Sequence, residues 1–392
     1  MSDECSVRNG GWPNAECGAR SLPSPYQRRL RTSLLIQHSS FRIPIPPTVA
    51  PFLLNRLGRG YDKPDAASIR PLRVIFMSTA AASPIRSTPQ PLPESFTSVQ
   101  PGGGVCCHLE LAWGRWRRWW LRHFRPGYVR RMAALRRGDC AGAPHEILDP
   151  RDLKYCRNRC SCDWAQQDDP FRWRDRLLLA RWGLAEVQLM GWPLLALTAA
   201  LAWSYGYLAP IPATLLCLVV YFFRDPSRRV PQEPGLLVSP ADGKVVEVTR
   251  LEHDQFLGGP AVRIGIFLSI FNVHLNRSPA AARVIALRYS PGEFLNALRP
   301  ESAGKNENTW IGLEEETPPH RRLVVRQISG AIARRIVCAL RPGEVVARGQ
   351  KFGMIKLGSR TEVYFPAASK VRLRVRVGDK VFAGRTILGV AE

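Results

Sequence analysis

Residues 370–377 read KVRLRVRV, and basic and apolar side chains alternate along this stretch without a break. Side chains on a strand point alternately to its two faces, so this pattern predicts an antiparallel strand with one face in a core and the other in water. Similar short runs, separated by Gly and Pro, follow residue 224: GLLVS, KVVEVTR, AVRIGIFLS, RLVVRQIS and AIARRIVCAL. The sequence therefore predicts a mainly β (α+β) domain over residues 224–392, a β-sandwich or barrel-like fold, with a helical turn in GEFLNALR.

Before the β domain, residues 187–223 contain no charged side chain. A single helix over this stretch would be about 55 Å long, well beyond a hydrocarbon core of about 30 Å. Gly206, Pro210 and Pro212 divide it into two apolar pieces, which predicts a hairpin that enters a membrane and returns on the same side. Arginines at both ends predict that both ends face the cytoplasm. A buried hairpin in a soluble core is the alternative.

The chain as a whole is strongly basic. The 392 residues include 56 Lys and Arg against 32 Asp and Glu, a net charge of +24, which predicts attraction to phospholipid headgroups or nucleic acid. Residues 1–105 have the composition of a disordered extension, with a mistranslated upstream start as the alternative. Residues 106–186 include an Arg/Trp-rich stretch, 113–137, that is typical of interfacial membrane segments. Nucleic-acid binding and a solvated basic helix compete with that interpretation.

Three cysteines, Cys156, Cys160 and Cys162, form a cluster in the N-terminal half of the chain. Their spacing lacks the paired C-x₂-C arrangement of common zinc sites, and the nearest histidine is His145. We therefore predict no metal site. Only two cysteines follow residue 163, so the C-terminal half is predicted to belong to a reducing compartment.

Three segments of the β domain carry candidate chemistry: SPADGKV (239–245), IFNVHLNRSP (270–279) and FGMIKLGSRTEVYFP (352–366). Each alone is ambiguous, because Asp-Gly usually marks a turn, a single His is often structural, and Gly-Ser between strands is usually a loop. In order with YFFRDPSRRVP, KNENTW and VGDKVFAGRTILG, they resemble the phosphatidylserine decarboxylase family, in its short bacterial and archaeal class with a Gly-Ser-Arg cleavage motif. The resemblance covers about residues 187–392.

The resemblance implies a pyruvoyl-dependent carboxy-lyase that cuts its own chain between Gly358 and Ser359. The Ser359 hydroxyl would attack the preceding carbonyl, and elimination followed by hydrolysis would turn Ser359 into the covalent pyruvoyl cofactor. The mature enzyme would consist of a large β chain (1–358) and a small α chain (359–392). A Schiff base between the pyruvoyl group and phosphatidylserine would then lead to phosphatidylethanolamine and CO₂.

The resemblance also implies that an Asp-His pair, at Asp242 and His274, acts as the base for Ser359. A buried carboxylate can fix the imidazole tautomer while the imidazole moves the proton. His274 is also the candidate acid that protonates the product carbanion. Longer enzymes of the family carry a second His where Phe271 stands here and Thr where Arg360 stands here. Both differences fit the short class.

Further polar residues are candidates for substrate binding, with an ordinary surface role as the alternative for the charged ones: Arg277, Asn306, Asn308, Lys356 and Arg360. The expected setting is the cytoplasmic side of the cell (inner) membrane, with phosphatidylserine in an anionic bilayer as partner and no nucleic acid. A homo-oligomer, the acyl chains and another serine-headed lipid as substrate stay open.

Two other functions compete with this one. The segments SPADGKVVEV and VRVGDKVFAGRTILG have the pattern of hairpins and turns that is typical of biotinyl- and lipoyl-like carrier domains. Lys356 in MIKLGS resembles the lysine that is modified in such domains. A carrier would keep an intact chain and gain mass on a lysine. The Arg/Trp stretch also fits a nucleic-acid-binding protein, although that function leaves the apolar hairpin and LGSR unexplained.

Overall fold

The structure is a computed structural model, and it describes residues 86–299, 301–331, 335–356 and 358–391. The prediction for residues 1–85, disorder or a mistranslated start, lies outside the described residues. Three parts follow one another along the described chain: a basic helical region, an apolar helical hairpin and a β domain.

Residues 86–104, here called the N-terminal strap, run along the β domain. Phe96 and Val99 are buried, and the Val99 carbonyl accepts a hydrogen bond of 2.8 Å from the Cys338 N–H. The N–H of Ser87 donates to the carboxylate of Glu314 at 3.0 Å. In the structure the strap is thus anchored to the β domain, whereas its composition predicts disorder. Buried side chains and hydrogen bonds to the β domain hold this segment in place, although its sequence shows no hydrophobic periodicity.

The basic region begins with helices α1 (Val105–Phe124) and α2 (Pro126–Leu135). A small core lies beneath them and includes Met132, Trp164 and the predicted cysteine cluster, whose three thiols are buried. Across the described ranges, no group of three or more His, Cys, Asp or Glu side chains has a geometry suited to a metal ion.

The apolar stretch forms two helices that pack against each other, α3 (Leu184–Ser204) and α4 (Pro210–Phe222). Within the described residues, Arg181–Ser204 is the one helix that is long and apolar enough to cross a membrane, by length and composition. The 13 residues of α4 span about 20 Å, less than a hydrocarbon core. Pro210 is the first residue of α4, a position that needs no N–H, so the helices separate at Tyr205–Ala209.

The described residues of the β domain form fourteen strands and one short α-helix. In chain order they are β1 (Leu236–Val238), β2 (Gly243–Asp254), β3 (Gly259–Leu268), β4 (Leu275–Arg277), β5 (Ala282–Ser290), α5 (Ser302–Lys305), β6 (Asn308–Glu315), β7 (Arg322–Ser329), β8 (Arg335–Cys338), β9 (Val345–Val346), β10 (Lys351–Lys356), β11 (Ser359–Pro366), β12 (Val371–Leu373), β13 (Lys380–Val381) and β14 (Ile387–Ala391).

The strands form one large curled sheet and two small ones. The large sheet is an antiparallel half-barrel in the order β13-β2-β3-β11-β7-β6-β5-β9. The small sheets have the orders β1-β14-β12 and β4-β10-β8. Apolar side chains from the large sheet, together with Phe96 of the strap, form the main core. The predicted mainly β, barrel-like fold is confirmed.

Two local predictions differ from the structure. In KVRLRVRV only Val371–Leu373 forms a strand, and Val377 is 61% exposed. The stretch turns away there because the Asp379 carboxylate accepts a hydrogen bond of 2.8 Å from the Arg376 N–H. No residue of GEFLNALR belongs to a helix; its single backbone turn is closed by the N–H of Arg299, which donates to the carbonyl of Asn296 at 2.9 Å. The side chain of Asn306 bonds to the backbone N–H and carbonyl of Leu295, which holds this segment in an irregular conformation.

Candidate active site

The Gly-Ser junction lies where the chain passes from one sheet to another. Lys356 ends β10 in a small sheet, and Ser359 begins β11 in the large sheet, between β3 and β7. Ser359 is 0% exposed, and its cross-strand partners are Leu268 and Ser329. Among the described residues its hydroxyl has no hydrogen-bond partner. An unpaired buried hydroxyl costs about 1–3 kcal/mol, so a group with this environment is a candidate for chemistry rather than for stability.

Two glycines shape the peptide bond before Ser359. Gly358 has a φ of 64°, in the left-handed region that other residues adopt at a cost. Its carbonyl oxygen lies so close to Gly330 that a Cβ at position 330 would overlap it. Gly330 directly follows β7, the strand whose last residue, Ser329, pairs with Ser359. The sequence motifs did not single out Gly330, because its role arises from sheet pairing.

The His274 side chain lies against this junction. His274 is 1% exposed, and its Nε2 accepts a hydrogen bond of 3.2 Å from the N–H of Gly358. Its Nδ1 lies 2.9 Å from the carbonyl oxygen of Asn272. Because a carbonyl can only accept, this pattern assigns the proton to Nδ1. The lone pair of Nε2 therefore points toward the junction.

The surroundings of His274 favour the neutral imidazole. Burial lowers the pKa of His274 to about 4, and the nearby Arg224 guanidinium also lowers it, whereas the bond to the Asn272 carbonyl opposes them. The ring of Phe222, the last residue of α4, lies with its centroid 4.5 Å from that of His274. The end of the apolar hairpin thus forms part of the wall that excludes water from this histidine.

No hydrogen bond joins Asp242 and His274 in the described structure. The Oδ1 of Asp242 accepts from the N–H of Ala383 and its Oδ2 from Arg228, both at 2.7 Å. Both ring nitrogens of His274 are bonded to other groups, so the expected Asp-His pair stays a prediction without a direct bond. Burial raises the pKa of Asp242, although the Ala383 N–H and the Arg228 guanidinium act to lower it.

Comparison with known proteins assigns the chain to a family. The family model for phosphatidylserine decarboxylase matches residues 215–389. The phosphatidylserine decarboxylase proenzyme of Rhodopirellula baltica is 49% identical over 235 residues, which are 60% of this chain and 97% of that protein. The chain belongs to the phosphatidylserine decarboxylase family.

Two more distant phosphatidylserine decarboxylase proenzymes agree with this assignment. That of Symbiobacterium thermophilum is 44% identical over 206 residues, 51% of this chain and 93% of that protein. That of Burkholderia vietnamiensis is 39% identical over 208 residues, 52% of this chain and 94% of that protein. The predicted enzyme class, a decarboxylase, is confirmed. No feature of the fold or of these matches favours a carrier domain or a nucleic-acid-binding protein.

A row of buried polar side chains lies beside the junction of this decarboxylase. The Nδ2 of Asn276 donates to the Oγ1 of Thr361 at 3.0 Å, and the Nε2 of Gln327 donates to the Oδ1 of Asn276 at 2.9 Å. These residues lie on β4, β11 and β7, so they join the two sheets that meet at the Gly358–Ser359 junction. None of them stood out as a candidate in the sequence motifs. The sequence did contain one signal, because Gln327 is a polar residue within the predicted strand RLVVRQIS. In the structure its side chain is fully buried.

The two asparagines of KNENTW form hydrogen bonds to β7, the strand that pairs with Ser359. The Nδ2 of Asn306 donates to the carbonyl of Ser329 at 2.7 Å, and Ser329 is the cross-strand partner of Ser359. The Oδ1 of Asn308 accepts from the Nε of Arg326 at 3.0 Å. Asn306 is thus placed to set the position of the strand that pairs with Ser359.

The three cationic candidates are buried in internal ion pairs. Lys356 pairs with Glu186, Arg360 with Glu247 and Glu362, and Arg277 with Asp225. In the described structure these pairings favour structural roles over direct contact with a substrate phosphate.

Proposed function

We propose that this chain is a proenzyme that cuts itself between Gly358 and Ser359, and that the mature enzyme converts phosphatidylserine to phosphatidylethanolamine and CO₂. One contact supports the proposal most directly: His274 Nε2 lies 3.2 Å from the Gly358 nitrogen, next to a buried serine whose hydroxyl has no partner among the described residues. The relatives named above are proenzymes, a term for chains that are processed after synthesis.

The Ser359 position fits a pyruvoyl group. The pocket around the side chain leaves its hydroxyl without a hydrogen bond from the described residues, so conversion to a ketone and methyl group removes no stabilising bond there. Once formed, this group supplies a carbonyl that takes up the substrate amine and accepts the electron pair left by departing CO₂. No metal ligand set is needed for this chemistry.

Self-cleavage follows from the groups at the junction. The Ser359 hydroxyl adds to the Gly358 carbonyl carbon, and the amide becomes an ester while His274 Nε2 takes the hydroxyl proton. Loss of the Ser359 Cα proton expels the Gly358 carboxylate and leaves dehydroalanine, which takes up water and releases ammonia. His274 is in its base form at neutral pH because burial lowers its pKa to about 4.

In the mature enzyme we assign the proton donor of decarboxylation to His274. Its burial against Phe222 excludes water, and a dry site favours the loss of a carboxylate that would otherwise be hydrated. Asp242 enters the proposal as a positioning residue, through its bonds to Ala383 and Arg228. Asn306 and Asn308 stay candidates for lining the substrate site, whereas Lys356, Arg360 and Arg277 are proposed to stabilise the fold around it.

We propose that α3, α4 and the outer face of α1 hold the enzyme on the cytoplasmic side of the membrane. On α1, Arg117 and Arg118 are buried against acidic residues, whereas four aromatic rings are exposed next to Arg115 and Arg122: Trp113, Trp116, Trp119 and Phe124. Indole rings favour the headgroup layer. Arg181 before α3 and Arg224 after α4 support a cytoplasmic position for both ends of the hairpin.

Replacement of the candidate nucleophile tests the proposal. Ser359→Ala is expected to remain a single chain on a denaturing gel and to release no CO₂ from phosphatidylserine. Ser290→Ala, at an exposed serine at the end of β5, is the matched control and should be cut and active. A cut or active Ser359→Ala protein would overturn the mechanism.

A further inference from the structure

A cavity of about 830 Å³ lies between the basic region, the start of α3 and the β domain. Neither His274 nor Ser359 is among the described residues that line it, although Leu275, the residue after His274, is. Apolar lining residues come from all three parts: Trp113 of α1, Leu189 of α3 and Phe352 of β10. The apolar part of the wall therefore continues from the β domain to the helix that is long enough to cross a membrane.

Most charges around this cavity neutralise one another. The pairs are Arg117 with Asp149 and Asp152, Arg118 with Asp152, Arg151 with Asp149, Lys154 with Glu110, Arg157 with Glu344, Arg181 with Asp175, and Lys351 with Asp225. Arg174 differs from them. Its guanidinium lies 4.9 Å from the centroid of the Phe171 ring, and no carboxylate in the described part of the chain forms an ion pair with it.

Arg174 lies among charged side chains that are already paired. Burial lowers the pKa of this guanidinium most, the charges of Arg151 and Arg181 lower it further, and the charge of Asp149 raises it. Arg151 pairs with Asp149 and Arg181 with Asp175, so these neighbours are largely neutralised. Arg174 is half-buried in the cavity wall, and a bound anion would provide the counter-charge that no carboxylate of the described residues provides in an ion pair.

We propose that this cavity binds one glycerophospholipid molecule from the bilayer, with its phosphodiester at Arg174 and its acyl chains along Trp113 and Leu189. A phosphodiester is a monoanion whose oxygens fit the donor fork of a guanidinium. The volume of about 830 Å³ lies within the range of about 300–1,000 Å³ for small-molecule sites. Because α3 forms one wall, a lipid can enter from the membrane side. This lipid is additional to the substrate and would join the basic region to the hairpin.

Short-chain phosphatidylglycerol is a suitable probe because it contains a phosphodiester but no amine that could react at Ser359. Binding to the full-length protein in detergent can be counted by native mass spectrometry. Arg174→Gln is expected to raise the dissociation constant about tenfold, as the loss of a charge-assisted hydrogen bond would. Arg172→Gln is the matched control, since Arg172 is exposed and lies outside the cavity lining. It should bind as the wild type does.

A second pair of variants tests the site without changing charge. Ala185→Phe places a ring in the cavity and should weaken binding, whereas Ala196→Phe, exposed on the same helix, should not. Normal self-cleavage of each variant shows that it is folded and separates this test from a failure of the proposed function. The proposal is overturned if all four variants bind equally, or if diacylglycerol, which lacks the phosphate, competes as well as phosphatidylglycerol.

Discussion

Gly330 lies in close contact with the carbonyl of the proposed scissile bond. The carbonyl oxygen of Gly358 occupies the space that a side chain at position 330 would need. Reactions of the proposed kind depend on the alignment of the attacking and attacked atoms, and a displacement of about 1 Å can cost about a hundredfold in rate. The fit between the two glycines would therefore be part of the geometry of the proposed reaction.

Gly330→Ala is expected to slow self-cleavage by about 10- to 100-fold, because the new methyl group must displace the Gly358 carbonyl. The fraction of cut chain can be followed on a gel after cell-free synthesis. Gly304→Ala is the matched control, since a Cβ at position 304 meets nothing within 4 Å. Cleavage of Gly330→Ala at the control rate would show that the close approach has no role in the reaction.

The pH dependence of cleavage follows from the neutral state of His274. A base works in its unprotonated form, which is present above the folded pKa of about 4 and is lost as the pH falls through that value. An unperturbed histidine would already lose this form near pH 6.5. We therefore expect the cleavage rate to stay constant from pH 8 to about 5 and to fall below that.

Arg224→Gln provides the control for this profile. The Arg224 charge lowers the pKa of His274, so its removal should move the fall in rate to higher pH. A wild-type profile with a midpoint near 6.5 would contradict the assignment of a buried, neutral His274 as the base.

Strand β10 connects the junction to two other parts of the chain. Lys356, the last residue of β10, pairs with Glu186 in the first turn of α3 and donates to Gln100 of the N-terminal strap at 3.3 Å. Three separate parts of the chain thus meet two residues before Gly358. The position of the proposed scissile bond therefore depends on both the apolar hairpin and the strap.

Glu186→Gln should destabilise the Ser359→Ala proenzyme by about 3 kcal/mol, because it leaves the buried Lys356 without its counter-ion. Denaturant unfolding measures this change. The double exchange Glu186→Lys with Lys356→Glu restores an ion pair and should recover part of the loss, and it should also restore cleavage when Ser359 is present. If the double exchange is no better than Glu186→Gln, the pair does not hold β10 in place.

Sequence patterns located the junction and His274 because these residues lie within short ordered motifs. They could not locate Gly330 or the Asn276–Thr361–Gln327 contacts, since these arise where β4, β7 and β11 meet in space. The Asp-His pair was inferred from a resemblance. In the structure Asp242 is bonded to Arg228 and Ala383, and no local sequence pattern connects either residue with Asp242. The order of the strap could not be read from its sequence either, because the side chains that Phe96 packs against are far away in the sequence.

At the scale of the whole molecule, a cut between Gly358 and Ser359 would not divide the fold. The proposed small chain contains β11, which pairs with both β3 and β7, and also β12, β13 and β14. Most side chains of β11 are buried. The two chains would therefore share one hydrophobic core.

The proposed small and large chains should remain together after cleavage. Size-exclusion chromatography of the mature enzyme in detergent is expected to give one peak that contains both, and a denaturing gel should separate them. Loss of the small chain under native conditions would show that β11 does not hold the halves together in the way its pairing implies.

The central claim is that Ser359 becomes the blocked first residue of a separate chain. Intact-mass analysis of wild-type protein purified from membranes measures this directly. The expected result is a fragment of residues 359–392 without a free amino terminus, lighter by one ammonia than the same fragment that begins with serine. A single uncut chain with an unmodified Ser359, in a preparation that still decarboxylates phosphatidylserine, would contradict it.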